Sequence, residues 1–529
     1  MSYPISISSS DPKQHPVDAP LEDRDPPGDT SVALKHMVMV ALTLVAVAVV
    51  TYVIPLFERV RPWVSGEGVP VVRLFTANHQ QAELPDFQGT LAAAESIPVS
   101  APASPAASAP PPSSAPQHER AADHTPQTPR NGHTAHTGHV QGVVIAPEEY
   151  DGLAVPIENV EALDTFYDAL RRSALRQPSA ITRVAHYGDS AVAADEISST
   201  ARRKLQARFG DSGHGFMLTA KGTMFYGHRD VLHRESDGWE LTTIVRRQLR
   251  SGYYGYGGIV ATGRSGEFTM FGTSTRGNIG RSVSRFEVFY QRYGNGGELR
   301  LSVDGKGDQV IATNAATPED AWEIVKVPDG EHSISLRARG EVRMYGVSQE
   351  RDVPGVVYDA LGLVGARADR LLDADQRHMA GQIAHRNPDL LVLGFGGNEA
   401  GNDNLDMQRY ARSLTQVIKL MRSGKPGMSC LLFGPLDQGE RNVRGDVVTL
   451  RAMPGIVDVQ RRVAHEQGCG FFDAYKGMGG QGSVGRWYRA RPRLFSPDFR
   501  HATPAGYALI GDMYYRALLK GFADYLSRR

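Results

Sequence analysis

One long interruption constrains how this chain folds. Residues 216–350 consist of short β-branched or aromatic runs separated by Gly, Asn-Gly and Asp-Gly turns, with no long helical pattern. Such runs predict an all-β sandwich or jelly roll of domain size. Before and after it, apolar strand patterns alternate with amphipathic helix patterns, which predicts a parallel sheet covered by helices on both faces. We therefore expect a β domain inserted into one α/β domain, whose two parts are residues 141–215 and 351–529.

The α/β part of the chain predicts about five parallel strands. The first strand leads into Gly188, Asp189 and Ser190, and a helix pattern follows this serine. Downstream of the insert, further apolar strands are predicted at residues 355–362, 389–397, 429–435 and 470–475. Ligands of such sheets bind beyond the carboxyl ends of the strands. Ser190, in the first strand-to-helix turn, therefore lies where we expect a functional site.

The N-terminal 140 residues predict a membrane anchor and a spacer. Residues 1–36 are polar, rich in Pro, Asp and Ser, and predict a disordered, cytoplasmic segment. Residues 37–57 carry no charge, and a helix of this length spans about 30 Å, the hydrocarbon core of a bilayer. The run ends without a small-residue cleavage site, so we expect a retained transmembrane helix rather than a signal peptide. Residues 58–140 contain a Pro/Ala/Ser-rich tract, which predicts an extended linker.

The charge composition gives no indication of a nucleic-acid partner. The 58 basic and 58 acidic residues balance, so no general field attracts nucleic acid, and no nucleic-acid-binding motif is present. We expect no nucleic-acid partner.

Cys430 and Cys469 begin two strands that would be neighbours, so a disulfide is conceivable in an oxidising compartment. Buried free thiols are equally ordinary, and we expect free thiols.

The residues that serine-based ester chemistry needs follow the other predicted strands. A serine nucleophile requires a base, an orienting carboxylate and donors for the oxyanion. Gly365 follows the second strand and offers an unobstructed backbone N–H, while Asn398 follows the third and offers a side-chain amide. Asp498 and His501 lie in one loop near the C-terminus. Their spacing allows the carboxylate to accept from Nδ1 of the imidazole while Nε2 faces Ser190.

These motifs together resemble the SGNH (GDSL) hydrolase superfamily. The matching pieces, in order, are "GDS" at 188–190, "GLVGA", "GFGGNE" and "DFRH" at 498–501. The resemblance implies a three-layer α/β/α, flavodoxin-like fold with Ser190 as nucleophile and Asp498 and His501 completing a triad. It also implies an oxyanion hole formed by Ser190 N–H, Gly365 N–H and the Asn398 side chain, and no metal or other cofactor.

The chain also departs from the compact members of that superfamily. The first block, "HYGDSAV", does not end in Gly-Asp-Ser-Leu, and compact members lack the β insert. In this respect the chain resembles peptidoglycan O-acetylesterases of Gram-negative bacteria, which carry a carbohydrate-binding-module-like β domain inside the SGNH fold. The positive-inside count slightly favours a cytoplasmic catalytic domain. The linker and this resemblance favour the inner membrane with the catalytic domain in the periplasm, which is our expectation.

Three functions remain open at this point. The first is a membrane-anchored esterase that removes acyl groups, typically O-acetyl, from an envelope glycan such as peptidoglycan. The second is an acyltransferase that passes the acyl group to a periplasmic glucan or other polysaccharide, and the third is a non-catalytic glycan-binding scaffold. We further expect His186 and His214 to be packed side chains, and Glu399 to stabilise the start of a helix after Asn398. The sequence does not specify the oligomeric state.

Overall fold

The structure, a computed structural model, describes residues 142–246 and 249–529. The segments 1–36, 37–57 and 58–140, with the predicted membrane helix and linker, lie outside the described residues. Within the described ranges, no helix combines the length and the apolar character needed to cross a membrane.

The described chain forms many short strands and fewer helices. In chain order the strands are β1 (Ile157–Glu158), β2 (Ile181–Gly188), β3 (Gly215–Leu218), β4 (Val231–Glu235), β5 (Glu240–Thr243), β6 (Ile259–Gly263), β7 (Phe268–Thr273), β8 (Val283–Arg292), β9 (Glu298–Val303), β10 (Lys306–Ala312), β11 (Glu319–Gly330), β12 (Ser333–Arg339), β13 (Val342–Glu350), β14 (Gly355–Gly362), β15 (Leu390–Gly394), β16 (Ser429–Phe433), β17 (Gly439–Arg441), β18 (Val447–Thr449) and β19 (Gly470–Phe472). The α-helices are α1 (Asp164–Ala174), α2 (Ser190–Ala193), α3 (Glu196–Phe209), α4 (Gln376–Arg386), α5 (Met407–Ser423), α6 (Met453–Glu466), α7 (Ala474–Gly477), α8 (Ser483–Arg489) and α9 (Pro504–Ser527).

The α/β part is built on a sheet with the strand order β1-β19-β16-β15-β2-β14. The five strands from β19 to β14 are parallel, as the sequence predicts, and β1 adds a short antiparallel edge. Alternate strand residues enter opposite layers: Ala185 packs with α4, α5 and α6, whereas Val184 packs with α1, α3 and α9. The predicted three-layer α/β/α arrangement is therefore confirmed.

The register of this sheet brings three strand ends to one level. Gly188, at the end of β2, pairs with Gly362 on one side and with Gly394 on the other. A side chain is sterically excluded at Gly188, because a Cβ there would lie 2.8 Å from Gly394 O and would also meet Val192 of α2. The first turn of α2 can therefore lie directly over the carboxyl edge of the sheet, which places Ser190 there.

The insert forms the expected β sandwich. One sheet has the order β10-β9-β12-β7-β4, and the other has the order β11-β8-β13-β6-β5 with β3 beside β13. The second sheet also packs against the α/β part, where Tyr187 donates a hydrogen bond to Tyr256 O (2.7 Å). Tyr254 and Tyr256 are fully buried, so the Tyr/Gly run at 252–258 mainly fills this core.

A buried ion network joins the insert to the α/β sheet. Glu350, the last residue of β13, bonds Arg183 of β2 (Nη2 to Oε2, 2.8 Å), Arg285 of β8 and Arg386 of α4. Arg386 also forms a two-fold hydrogen bond with Asp359 of β14, at 2.8 Å each. Burial alone would raise the pKa of Glu350, but the three guanidinium groups hold that pKa well below its usual range.

The expectation of free thiols is wrong. Cys430 and Cys469 form a disulfide with a Cα–Cα distance of 4.6 Å, and both residues are fully buried. The reason lies in the strand register, because Leu431 of β16 pairs with Gly470 of β19. The residue that precedes each partner is a cysteine, so the two side chains meet across adjacent strands.

Candidate active site

Ser190 lies at the strand-to-helix turn that the sequence predicts. It is partly exposed and begins α2, directly after Asp189. The turn is fixed by backbone bonds, since Asp189 N donates to Gly394 O (3.3 Å) and Leu363 N donates to Gly188 O (2.8 Å). Asp189 caps the helix by accepting from Ala191 N (3.0 Å). The hydroxyl group is therefore held at the edge of the sheet and faces solvent.

The structure brings together Ser190, His501 and Asp498. Ser190 Oγ lies 2.9 Å from His501 Nε2, and His501 Nδ1 lies 2.7 Å from Asp498 Oδ2. An ionised carboxylate can only accept, so Nδ1 carries the proton and Nε2 accepts from the serine hydroxyl. This is the geometry that general-base activation of a serine requires.

Local hydrogen bonds shape the loop that carries this acid and base. Asp498 Oδ1 accepts from the backbone N–H groups of Arg500 (3.0 Å) and His501 (3.1 Å), while Ser496 N donates to His501 O (2.8 Å). Partial burial alone would raise the pKa of Asp498, but the hydrogen bonds from His501 and the loop lower it below its usual value. The carboxylate therefore stays ionised and orients the imidazole.

Donors for an oxyanion lie beside Ser190. Gly365 has a φ of 78°, and a Cβ placed on it would meet nothing within 4 Å. In the part of the chain that the structure describes, the Gly365 and Ser190 N–H groups donate to no protein acceptor. Asn398 Nδ2 donates to Ala366 O (2.8 Å) and more weakly to Asp189 Oδ2 (3.4 Å). The Asn398 amide therefore lies at the site, and its N–H can replace the weak hydrogen bond to Asp189 by one to an oxyanion.

Glu399 acts differently from the expectation. No α-helix starts directly after Asn398, because the next one, α5, begins at Met407. Glu399 instead accepts from Ala368 N (2.9 Å) and Gly396 N (3.1 Å) and so ties the loop after β14 to the loop after β15. Burial raises the pKa of Glu399 to about 7. The same cause raises the pKa of Asp189 to about 6. Two buried carboxyl groups therefore hold the backbone around the oxyanion donors: Asp189 at the start of α2 and Glu399 between the loops after β14 and β15.

Ser190, His501 and Asp498 open into a cleft of about 610 Å³. Ser190, Gly365 and Asn398 line it together with residues 224–227 from the loop between β3 and β4. Gly227 N donates to Ala193 O (3.1 Å) and so attaches this loop of the insert to α2. Sequence reasoning missed this contribution, because "TMFYG" is one of many aromatic and glycine-containing runs in the insert.

His186 and His214 are packed side chains, as expected. His186 is fully buried and shares a hydrogen bond of 2.9 Å with Tyr358 Oη, and burial lowers its pKa to about 3. His214 Nε2 lies 2.9 Å from His228 Nδ1, close to the Asp195 carboxylate. These three side chains could approach one cation, but Arg202 already binds both Asp195 oxygens (2.9 and 2.8 Å). A buried guanidinium at that position does not fit a metal site.

A comparison with protein families identifies the catalytic part. Residues 337–509 match the model of the GDSL-like Lipase/Acylhydrolase family. The chain contains a GDSL-like hydrolase domain. Gly365, Asn398, Asp498 and His501 fall inside the matched range, whereas Ser190 lies before the insert. The hydrogen-bonded Ser190–His501–Asp498 relay accompanies this domain, and the GDSL-like domain is an ester-hydrolysing serine hydrolase.

One solved structure shares the fold of this part of the chain. A structure described as a peptidoglycan O-acetylesterase in action has a TM-score of 0.58 and 21% identity, and the match covers 68% of this chain and 96% of that chain. A lipase/acylhydrolase from Enterococcus faecalis has a TM-score of 0.24 and 21% identity, with 31% and 77% covered. An acetyl xylan esterase has a TM-score of 0.24 and 18% identity, with 31% and 80% covered. No curated protein sequence matches this chain.

Proposed function

We propose that this protein is a membrane-anchored esterase that removes O-acetyl groups from a cell-envelope glycan through an acyl-enzyme on Ser190. The observation that carries the proposal is the Ser190–His501–Asp498 relay, with distances of 2.9 and 2.7 Å, at the edge of an open cleft. The reaction begins when His501 Nε2 takes the hydroxyl proton and Ser190 Oγ attacks the ester carbonyl.

The oxyanion is stabilised by groups that already surround Ser190. Its own N–H and the Gly365 N–H donate to the developing charge, and Asn398 joins them by giving up its 3.4 Å contact with Asp189. Collapse of this intermediate expels the glycan hydroxyl, which receives its proton from His501. Water then attacks the acyl-enzyme with His501 as base, and acetate leaves.

The exposure of the relay favours water as the acyl acceptor. The side chains of His501 and Asp498 are 46% and 49% exposed, so water reaches the acyl-enzyme without a conformational change. An acyltransferase would need to exclude water from this position while it binds a second sugar. We therefore prefer hydrolysis to transfer, and an enzyme to a glycan-binding scaffold.

The glycan substrate is supported by the combination of domains. The alignment with the solved peptidoglycan O-acetylesterase covers 96% of that protein and 68% of this chain. In this chain, the β insert that separates Ser190 from the rest of the GDSL-like domain also supplies a wall of the cleft. Because residues of both domains line the cleft, a substrate larger than its acyl group can contact the insert as well as Ser190, as a polymeric sugar ester would.

Export to the periplasm is part of the same proposal. The uncharged segment 37–57 supplies the anchor and residues 58–140 the spacer. The buried Cys430–Cys469 disulfide supports an oxidising compartment. An alkaline phosphatase fusion after residue 140 should be active, and an inactive but stable fusion would place the catalytic domain in the cytoplasm.

Acetate release tests the chemistry. Wild type and Ser190→Ala are incubated with p-nitrophenyl acetate and with O-acetylated peptidoglycan. We expect the substitution to lower the rate by about 10⁶-fold, or to the spontaneous background, because it removes the nucleophile. The matched control is Ser423→Ala, since within the described residues that hydroxyl bonds only Leu420 O in its own helix (2.6 Å). Release that survives Ser190→Ala would contradict the mechanism.

A further inference from the structure

Two exposed apolar side chains lie at the mouth of the catalytic cleft. Met224 is 89% exposed and Phe225 is 63% exposed, and both line the cleft that contains Ser190. Among the described residues, only four other large hydrophobic side chains are comparably exposed, and none is aromatic: Val144, Val310, Ile324 and Val443. Adjacent large apolar side chains exposed beside a reactive group indicate a binding surface.

The segment that carries them is held in place. Phe225 N donates to Thr223 Oγ1 (3.2 Å) and Tyr226 N donates to Thr223 O (3.2 Å), which forms a tight turn. Tyr226 is buried, and its hydroxyl accepts from Leu218 N (3.0 Å) and bonds His228 Nε2 (2.7 Å). With Gly227 fixed to Ala193, the two exposed side chains stand on an anchored turn. A ligand that contacts them does not have to order the backbone.

The size of the cleft exceeds what the acyl group needs. Its volume of about 610 Å³ falls within the range of about 300–1,000 Å³ for sites that enclose a drug-sized ligand. An acetyl group fills only a small part of this space, next to Gly365 and Ser190. The remaining space, bordered by Phe225, therefore takes the alcohol portion of the ester.

We propose that Phe225, supported by Met224, is the surface on which a pyranose ring of the glycan lies during deacylation. This inference rests on the proposed function and adds a specificity-determining position to it. A pyranose has an apolar C–H face that matches the ring of Phe225 and a rim of hydroxyl groups that stays in water. A fatty acyl chain fits this position less well, because a surface that is 63% exposed would leave much of the chain hydrated.

The test measures sugar binding by competition. Full-length protein hydrolyses p-nitrophenyl acetate in the presence of tetra-N-acetylchitotetraose, a soluble oligomer of N-acetylglucosamine. For each variant, the rates are divided by the rate of that variant without oligosaccharide before the inhibition constant is determined. We expect competitive inhibition of wild type and an inhibition constant at least ten-fold higher for Phe225→Ala. Phe225→Tyr should keep the wild-type constant, because it keeps the aromatic face.

The control is Val310→Ala, which shortens an exposed apolar side chain on β10 of the same insert and should not change inhibition. Absence of inhibition in wild type, or equal inhibition of wild type and Phe225→Ala, would overturn the inference. A second comparison uses p-nitrophenyl octanoate, and a selective loss of octanoate hydrolysis in Phe225→Ala would assign the surface to the acyl chain instead. If inhibition depends on Phe225 but O-acetylated peptidoglycan releases no acetate, the sugar subsite stands and the proposed function fails.

Discussion

Removal of the Cys430–Cys469 disulfide should destabilise the catalytic domain by several kilocalories per mole. The two cysteines are 39 residues apart in sequence. In the chain-entropy description, closing a loop of that length removes about 13 cal/mol/K from the unfolded state, which corresponds to about 4 kcal/mol at 25 °C. Because both residues are fully buried, replacing them by alanine also leaves small cavities. The expected loss is therefore at least about 4 kcal/mol for Cys430→Ala/Cys469→Ala.

Urea unfolding with and without reductant separates the bond from the cavities. Reductant added to unfolded wild type should lower its folding stability toward that of the double variant, whereas the double variant should not respond. Cys430→Ala alone is the matched control, because it already lacks the bond and should behave like the double variant. Titration of about two free thiols in unfolded, unreduced wild type would refute the cross-link. A reductant effect below about 1 kcal/mol would refute the estimate of its contribution.

Three further substitutions address the relay, the oxyanion loops and the domain junction. Asp498→Asn should lower kcat on p-nitrophenyl acetate by about 10⁴-fold, because an amide no longer fixes the proton on His501 Nδ1; retention of a tenth of the rate would contradict this. Burial raises the pKa of Glu399 from 4.5 to about 7, so folding favours the neutral form of this carboxyl group. The contribution of Glu399 to the free energy of unfolding is therefore complete below pH 4.5 and is lost as the pH rises to about 7. Wild type should lose up to about 3 kcal/mol across that window, and Glu399→Gln, which cannot titrate, should lose less in urea unfolding at each pH. Glu350→Gln removes the buried charge that Arg183, Arg285 and Arg386 share and should cost about 3–5 kcal/mol; an unchanged thermal midpoint would contradict the importance of these ion pairs between the insert and the α/β sheet.

The parts of the site that depend on local spacing could be predicted from the sequence. Asp498 and His501 belong to one loop, and Ser190 follows one strand, so residue type and position were enough to place them. The sequence could not place Met224 and Phe225, because their position depends on how a loop of the insert meets Ala193 of α2. Nothing in residues 221–229 distinguishes them from other turns of the insert.

The disulfide and the contacts of Glu399 were missed for a related reason. Whether two cysteines on neighbouring strands meet depends on register, and the pairing of Leu431 with Gly470 is set by packing along the whole of both strands. Glu399 accepts from Ala368, 31 residues away, which a pattern of adjacent residues does not reveal. In both cases the sequence supplied the correct chemical groups without their partners.

The position of the insert explains how one of its loops lines the cleft that contains Ser190. The insert leaves the α/β part after α3 and returns into β14, which is the edge strand next to β2. It therefore emerges beside β2, the strand that precedes Ser190, and its first loop reaches α2, where Gly227 N bonds Ala193 O. The charges that join Glu350 and Asp359 to Arg386 then fix the sandwich against the sheet. These buried bonds, together with the hydrogen bond from Gly227 N to Ala193 O, hold the loop that carries Phe225 against the helix that begins at Ser190, as the proposed glycan surface requires.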